Sequence, residues 1–502
     1  MRPRLIWICP GPWCLLVVLG GLQAFSCAGV KKSGEQGDGG TRPPGVGATG
    51  GTGGGTPPPV STGCQGLDCN KTTCVGRGCT QQPCGAGMRT TVTGVVYDPA
   101  GKVPLYNVVV YVPSLPLEDA EFPRAFVDGV TCDRCTTRIQ GASAVALTDA
   151  SGAFRLEDVP VGTNVPLVMQ VGKWRRQVRI ASVAACTTTA LTDRNLTRLP
   201  RNQREGRIPK IALTTGGLDA LECWLRKVGL EDAEFTPEAG NGRVNLFAGG
   251  THLGLAETQM SAGTNAYAAA LNGGALFTDA ETWWNNVDNL KKYDVVLHSC
   301  DGNPVPQNKS VAALEALQAY ANVGGRVFAS HWHNYWIRGA RAPLSTIGSF
   351  TGGDYAFVLP IYTFIDTTFP KGEALADWLV NVGASTRRGY LEIVGAKRTV
   401  GMLDSMLAQR WIYEPTSEAV EYLSANTPVG APANDQCGRI VFSDLHVTTG
   451  AASATDDRSS PALPFPTGCV TTDLSPQEKA LEFMLFDLSS CIRRDDMPPV
   501  VE

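Results

Sequence analysis

From residue 207 onward, short and largely apolar runs alternate with amphipathic stretches. Ile208–Thr215, Val244–Phe247, Tyr293–Leu297, Arg326–Ala329 and Gly438–Phe442 are too short for helices, and each reads as a strand buried on both faces. Between them, apolar residues return every three or four positions. Leu218, Leu221, Leu225 and Val228 fall on one face of a helix over Leu218–Val228, with Asp219 suited to the dipole at its start. Trp283–Leu290, Val311–Ala321 and Ala374–Asn381 read as further helices. Ser475 caps a last one, Pro476–Leu488, whose apolar face carries Ala480, Phe483, Met484 and Leu488. Strands that alternate with helices predict an α/β three-layer domain over 207–502, built on a mostly parallel sheet of flavodoxin or amidotransferase type.

Upstream the pattern is that of short strands. Thr91–Tyr97, Val108–Val112, Ala144–Leu147, Phe154–Leu156, Pro166–Val171 and Gln177–Ile180 are separated by turn residues such as Asp98-Pro-Ala-Gly101. They predict a small all-β sandwich over 88–186. Residues 187–206 are polar and basic without a period, and read as a linker. The tip Gly172-Lys-Trp-Arg-Arg176 is expected as a solvated turn with one aromatic anchor, with stacking on a sugar or contact with a phosphate as the sharper alternative.

The first residues have a different character. Arg2 and Arg4 precede the apolar segment Cys14–Leu22 and then Ala24-Phe-Ser-Cys27, so 1–27 read as a signal peptide, too short to span a bilayer. Residues 28–63 are a Gly/Pro/Thr-rich tether. A neck follows over 64–87, in which Cys64, Cys69, Cys74, Cys79 and Cys84 recur every five residues. So short a stretch cannot build a core, and cross-links must order it. These cysteines are disulfide candidates together with Cys132, Cys135 and Cys186. Cys132-Asp-Arg-Cys135 lacks a βαβ setting, so a structural bridge, or a pairing with Cys186, is expected rather than redox chemistry.

Sixteen cysteines, less Cys9, Cys14 and Cys27, leave thirteen, so at least one is unpaired or intermolecular. Cys300 is expected to pair with Cys223 or Cys437. The net charge of −4, without a basic block, argues against a nucleic-acid partner.

Several stretches resemble known families. The segment ending at Cys27 resembles a bacterial lipobox, which implies a lipidated Cys27 and an exported lipoprotein of the cell envelope, anchored to the membrane; simple secretion is the alternative. GVVYDPAGKVPLYNVVVYV and LTDASGAFRLEDVPVG resemble the carboxypeptidase regulatory-like domain, a transthyretin-like sandwich related to carbohydrate-binding folds. IALTTGG, YDVVLHSC, LQAYANVGGRVFASH and CGRIVFSDLH resemble the class I glutamine amidotransferase-like fold, in its ThuA-like branch. The turn that holds a cysteine nucleophile in amidotransferases is Ala329-Ser-His-Trp332 here, so glutaminase chemistry of that kind is not expected. The ThuA-like branch implies histidines at this turn and after the last strand, matching His331 and His446.

In open α/β sheets ligands bind at the carboxyl ends of the strands. His298, Cys300, Asp301, His331, His333, Asp444 and His446 sit at such ends. If the three strands are neighbours, these residues suit a divalent metal such as zinc, or a hydrolytic Cys–His or His–Asp–Ser arrangement. The chain is therefore expected to be a surface binding or scaffolding module for a glycan or an envelope protein. The alternative is a hydrolase, carbohydrate-related or metal-assisted, that uses the histidine cluster.

Overall fold

A computed structural model of the chain describes residues 80–114, 126–135, 141–216, 219–249, 277–302, 306–353, 357, 360–447 and 473–499. All of them belong to one compact unit spanning 62–502. The signal peptide, the tether, Cys27 and the neck cysteines 64, 69, 74 and 79 lie outside the described residues.

The chain first builds two small sheets. In one, Ala153–Glu157 (β4) and Thr188–Leu191 (β7) flank Thr91–Val95 (β1). In the other the order is Ala142–Leu147 (β3), Val109–Pro113 (β2), Gly162–Val171 (β5), Trp174–Val183 (β6) and Gly206–Arg207 (β8), all antiparallel. Val92, Val110, Phe154, Leu167 and Met169 are buried in their core. The stretch expected to be a linker is folded. It supplies β7, which pairs parallel to β1, and a short helix, Arg194–Thr197. Main-chain hydrogen bonds hold an edge strand without an apolar period, which is why the sequence pattern did not reveal it.

The third sheet has ten strands. Six run parallel, in the order Phe235–Thr236 (β10), Val244–Phe247 (β11), Ile211–Thr214 (β9), Val295–His298 (β12), Arg326–Ser330 (β13) and Gly438–Ser443 (β20). Four more continue antiparallel: Val420–Thr427 (β19), Gln409–Tyr413 (β18), Ile361–Ile365 (β15) and Tyr390–Ile393 (β16). Gly348–Phe350 (β14) and Val400–Leu403 (β17) form a separate pair. The sheet is thus mixed, and the expected parallel sheet is its first part.

Three helical expectations shift. The helix expected from Leu218 starts at Leu221, leaving Asp219 outside it. Trp283–Leu290 divides into Ala280–Trp283 and Val287–Leu290, because Asn286 caps the second piece. The final helix, Pro476–Ser489, has the expected Ser475 cap, closed into a capping box by Glu478, but it is buried nearly all round rather than on one face. It lies between the sandwich and the large sheet. Phe483 stacks on Tyr106 of the sandwich at 5.6 Å and meets Trp378 at 5.4 Å, while Phe486 meets Trp174.

The tip 172–176 is therefore no solvated turn. Trp174 is fully buried, Lys173 Nζ donates to Asp294 Oδ1 at 2.5 Å, and a Cβ on Gly172 would stand 1.8 Å from the Ser489 carbonyl oxygen. Disulfides reinforce this junction. Cys132 bonds Cys437 and Cys135 bonds Cys491, so the C-x2-C motif neither closes on itself nor reaches Cys186. Cys186 instead bonds Cys84, the last cysteine of the neck. These bridges fit an oxidising compartment. Among the described residues no helix is long and apolar enough to cross a membrane.

Candidate functional site

The tips of β9, β12, β13 and β20 end level and side by side. Thr214 stands opposite His298, His298 opposite Ala329, and Ser330 opposite Ser443. The expected convergence is real, but the seven candidate residues separate into three groups.

The first group is Cys300, His331 and His446. One potential ligand atom from each lies within 4.8 Å of the others. His331 follows β13 directly, with φ at 40°. Non-glycine residues hold such a backbone at a cost of about 1–3 kcal/mol, and mostly at functional turns. Its Nδ1 is 3.4 Å from Cys300 Sγ, which also receives the Gly302 N–H at 3.5 Å. Gly216, from the TTGG motif, lets the backbone approach here: a Cβ would sit 2.1 Å from the Cys300 carbonyl oxygen.

His446 places Nδ1 3.1 Å from Asp219 Oδ1. Asp219 is itself fixed by the Val447 N–H at 2.9 Å and by the Ser330 hydroxyl. A carboxylate at Nδ1 places the proton there and leaves a lone pair on Nε2. The Nε2 atoms of both His331 and His446 are buried and have no hydrogen-bond partner among the described residues. Burial, with His446 nearby, pushes His331 down to about 2. Burial, with Asp219 nearby, pushes the Cys300 thiol well up.

Cys300 was expected in a disulfide. It is instead free and buried, since Cys437 is taken by Cys132 and Cys223 is itself disulfide-bonded. A sealed, protonated thiol is a poor nucleophile, so the Cys–His hydrolytic arrangement does not fit this geometry.

His298, His333 and Asp301 form the second group. A tight 3-10 turn, His331–Asn334, follows β13, and residues two apart on it face different sides. His333 therefore leaves His331 and lies 3.3 Å from Asp301 Oδ1, with its Nδ1 accepting from Trp336 Nε1 at 3.0 Å. His298 Nδ1 is 3.0 Å from Thr214 Oγ1. Lys309 Nζ donates to Asp301 Oδ2 at 2.8 Å beneath the rings of Trp284 and Trp336. Burial would raise Asp301, but neighbouring positive charge holds it well below the usual carboxylate range. His333 and then Lys309 are the neighbours that lower it, while burial lowers His298 and His333 themselves. The group closes on itself as a buried ion pair.

Asp444 stands apart. It turns toward Thr399, accepting the backbone N–H at 2.6 Å and the hydroxyl at 2.9 Å, and burial raises it to about 6. Its hydrogen bonds go to Thr399, although His446 is near enough to lower it.

Sequence reasoning missed Asp219 and Lys309 at these sites. The first was assigned to a helix dipole, although an acid just past a buried strand is itself a signal.

It also missed a surface on the antiparallel strands. Tyr362, Phe364, Tyr390, Glu392 and Tyr413 share one face: Tyr362 pairs with Glu392, and Phe364 with both Tyr390 and Tyr413. The opposite face buries Thr363, Ile365, Leu391, Ile393 and Trp411. Tyr362 is 66% exposed. Arg387 lies 3.8 Å over the Tyr390 ring and Arg410 3.6 Å over Tyr413. Beside them opens a groove of about 890 Å³, lined by Tyr362, Arg387, Tyr390, Glu392 and Gln477 among others.

No known family matches the chain, and no curated protein does. Solved structures match parts of it. A C-terminal interface mutant of a type II cohesin–X-dockerin complex from Acetivibrio cellulolyticus is 16% identical over 31% of this chain and 79% of that one, with a TM-score of 0.13. An N-terminal interface mutant of that complex is 16% identical over 26% and 79%, also at 0.13. A putative ThuA-like protein from Bacteroides uniformis is 13% identical over 47% of this chain and 82% of that one, with a TM-score of 0.20. At these values the chain has partial structural neighbours and no assigned family.

Proposed function

We propose that the protein is an exported binding module of the cell envelope, held by a lipid on Cys27 at the end of the 28–63 tether, and that its ligand is a glycan. The observation that carries this reading is the aromatic face of the antiparallel strands with its adjoining groove. A sugar ring presents a C–H face that stacks on an aromatic ring, while its hydroxyls need donors and acceptors at the rim. Tyr362 and Tyr390 offer the rings; Arg387, Glu392 and Gln477 offer the rim. The disulfides that fasten the sandwich to the large sheet support a rigid presenting body rather than two mobile domains.

The test is isothermal titration of the full chain with neutral and acidic oligosaccharides. Saturable binding that falls about tenfold in Tyr362→Ala, the worth of one aromatic contact, is the expected result. Absence of any saccharide binding by the folded wild type overturns the reading.

A further inference from the structure

We propose that Cys300 Sγ, His446 Nε2 and a ring nitrogen of His331 form the protein side of a zinc-class metal site, with one coordination position left for water or a ligand. Three observations support it. The donor set, one thiolate and two imidazoles, is the kind that zinc takes when it keeps an open fourth position. Its atoms lie within 4.8 Å of one another. Bonds of about 2.0–2.3 Å around a tetrahedral ion would bring them to roughly 3.3–3.7 Å, a closure of about 1 Å. The Cys300–His331 distance of 3.4 Å already matches.

The second observation is the outer support. Asp219 accepts at His446 Nδ1 and is held in turn by Val447 N–H and Ser330. This carboxylate–histidine relay orients a metal-binding imidazole and raises its basicity. A histidine kept only for packing does not need its carboxylate partner pinned twice.

The third is the buried Nε2 of His446, which has no hydrogen-bond partner among the described residues. It costs about 1–3 kcal/mol if nothing answers it. A cation on this atom removes that penalty. Binding displaces one proton, from the Cys300 thiol to solvent, and forms the metal–sulfur bond. The divalent ion then meets the thiolate and the Asp219 carboxylate, so the buried site is neutral in total. The group of His298, Asp301, His333 and Lys309 also holds, on its two histidines, Nε2 atoms without a hydrogen-bond partner among the described residues, but there Lys309 already fills the cationic role.

The experiment strips metal from the full chain by chelation and titrates it with Co²⁺, followed by absorption. The expected result is one equivalent per chain, with tetrahedral d–d bands and a thiolate-to-cobalt charge-transfer band. Cys300→Ser, nearly isosteric, should lose the charge-transfer band while thermal unfolding shows a folded protein. Asp219→Asn should keep the band and bind about 10–100-fold more weakly. A folded wild type that binds less than one equivalent, or shows no thiolate band, overturns the proposal. So does a band that persists in Cys300→Ser, which would place the metal elsewhere.

Discussion

The two halves of the ten-stranded sheet handle polar groups in opposite ways. The parallel half is covered on both faces, so the polar side chains at its strand tips are enclosed with one another. Asp301 has Lys309, His298 has Thr214, and His446 has Asp219. The outer antiparallel strands β15 and β16 are covered on one face only and leave Tyr362 and Glu392 to solvent, as antiparallel sheets can, whereas β19 is buried nearly throughout. One sheet thus separates a sealed, preorganised interior site from an open recognition surface. A substitution in the first half should act mainly on stability, and one in the second mainly on binding.

The largest effect expected from this contrast is at Lys309. Its ammonium and the Asp301 carboxylate are both about 1% exposed at the side chain. Lys309→Met leaves a buried carboxylate facing two neutral histidines. Removing one partner of such a pair costs about 3–5 kcal/mol, readable as a large fall in thermal unfolding temperature. A loss under about 1 kcal/mol would mean that water reaches Asp301, and the sealed half would not be sealed.

A smaller, pH-dependent effect sharpens the comparison at the junction beneath the sheet. There Asp98 of the sandwich meets Glu482 of the last helix, with Lys102 acting on the first and Lys479 on the second. Burial is the main cause that lifts Asp98 to about 7 and Glu482 well above its usual range. Both shifts are upward, so the native pair holds protons that the unfolded chain has released. Its contribution is complete below about pH 4, and it shrinks as pH rises toward 7 and beyond, at about 1.4 kcal/mol per pH unit for each group. Glu482→Gln should flatten that decline as pH rises from about 4 toward about 7. Equal pH profiles for the two proteins would show that the carboxyls are ionised and solvated.

How much of this was legible follows the same division. The parallel strands are continuous apolar runs because both faces are buried, so 293–297, 326–329 and 438–442 could be read directly, and with them the level histidine tips. The outer antiparallel strands β15 and β16 alternate, as in Tyr390-Leu-Glu-Ile393, and these two partners are separated by a helix in the sequence. Without a partner, four alternating residues carry little signal. The partition of the histidines was illegible for another reason. It depends on the φ of His331 and on the tight turn after it, and neither follows from residue type. The disulfides show the same limit: Cys132 and Cys437 stand 305 residues apart, and only the docking of the two β layers brings them together.

The smallest expected effect on stability is also the most discriminating. Tyr362 is 66% exposed and lies on the solvent face of β15, while its neighbour Thr363 is fully buried and donates to the Leu391 carbonyl at 2.9 Å. If the open half is a recognition surface, Tyr362→Ala should change the unfolding free energy by no more than about 0.5 kcal/mol, as surface substitutions usually do, whatever it does to saccharide binding. Thr363→Val, which removes a hydroxyl that no ligand could touch, should cost about 1 kcal/mol and leave binding alone. A reversal, with Tyr362→Ala destabilising and Thr363→Val reducing binding, would mean that the aromatic face is itself packed against another part of the chain. The contrast between a sealed half and an open half would then fail at the point where it makes its functional claim.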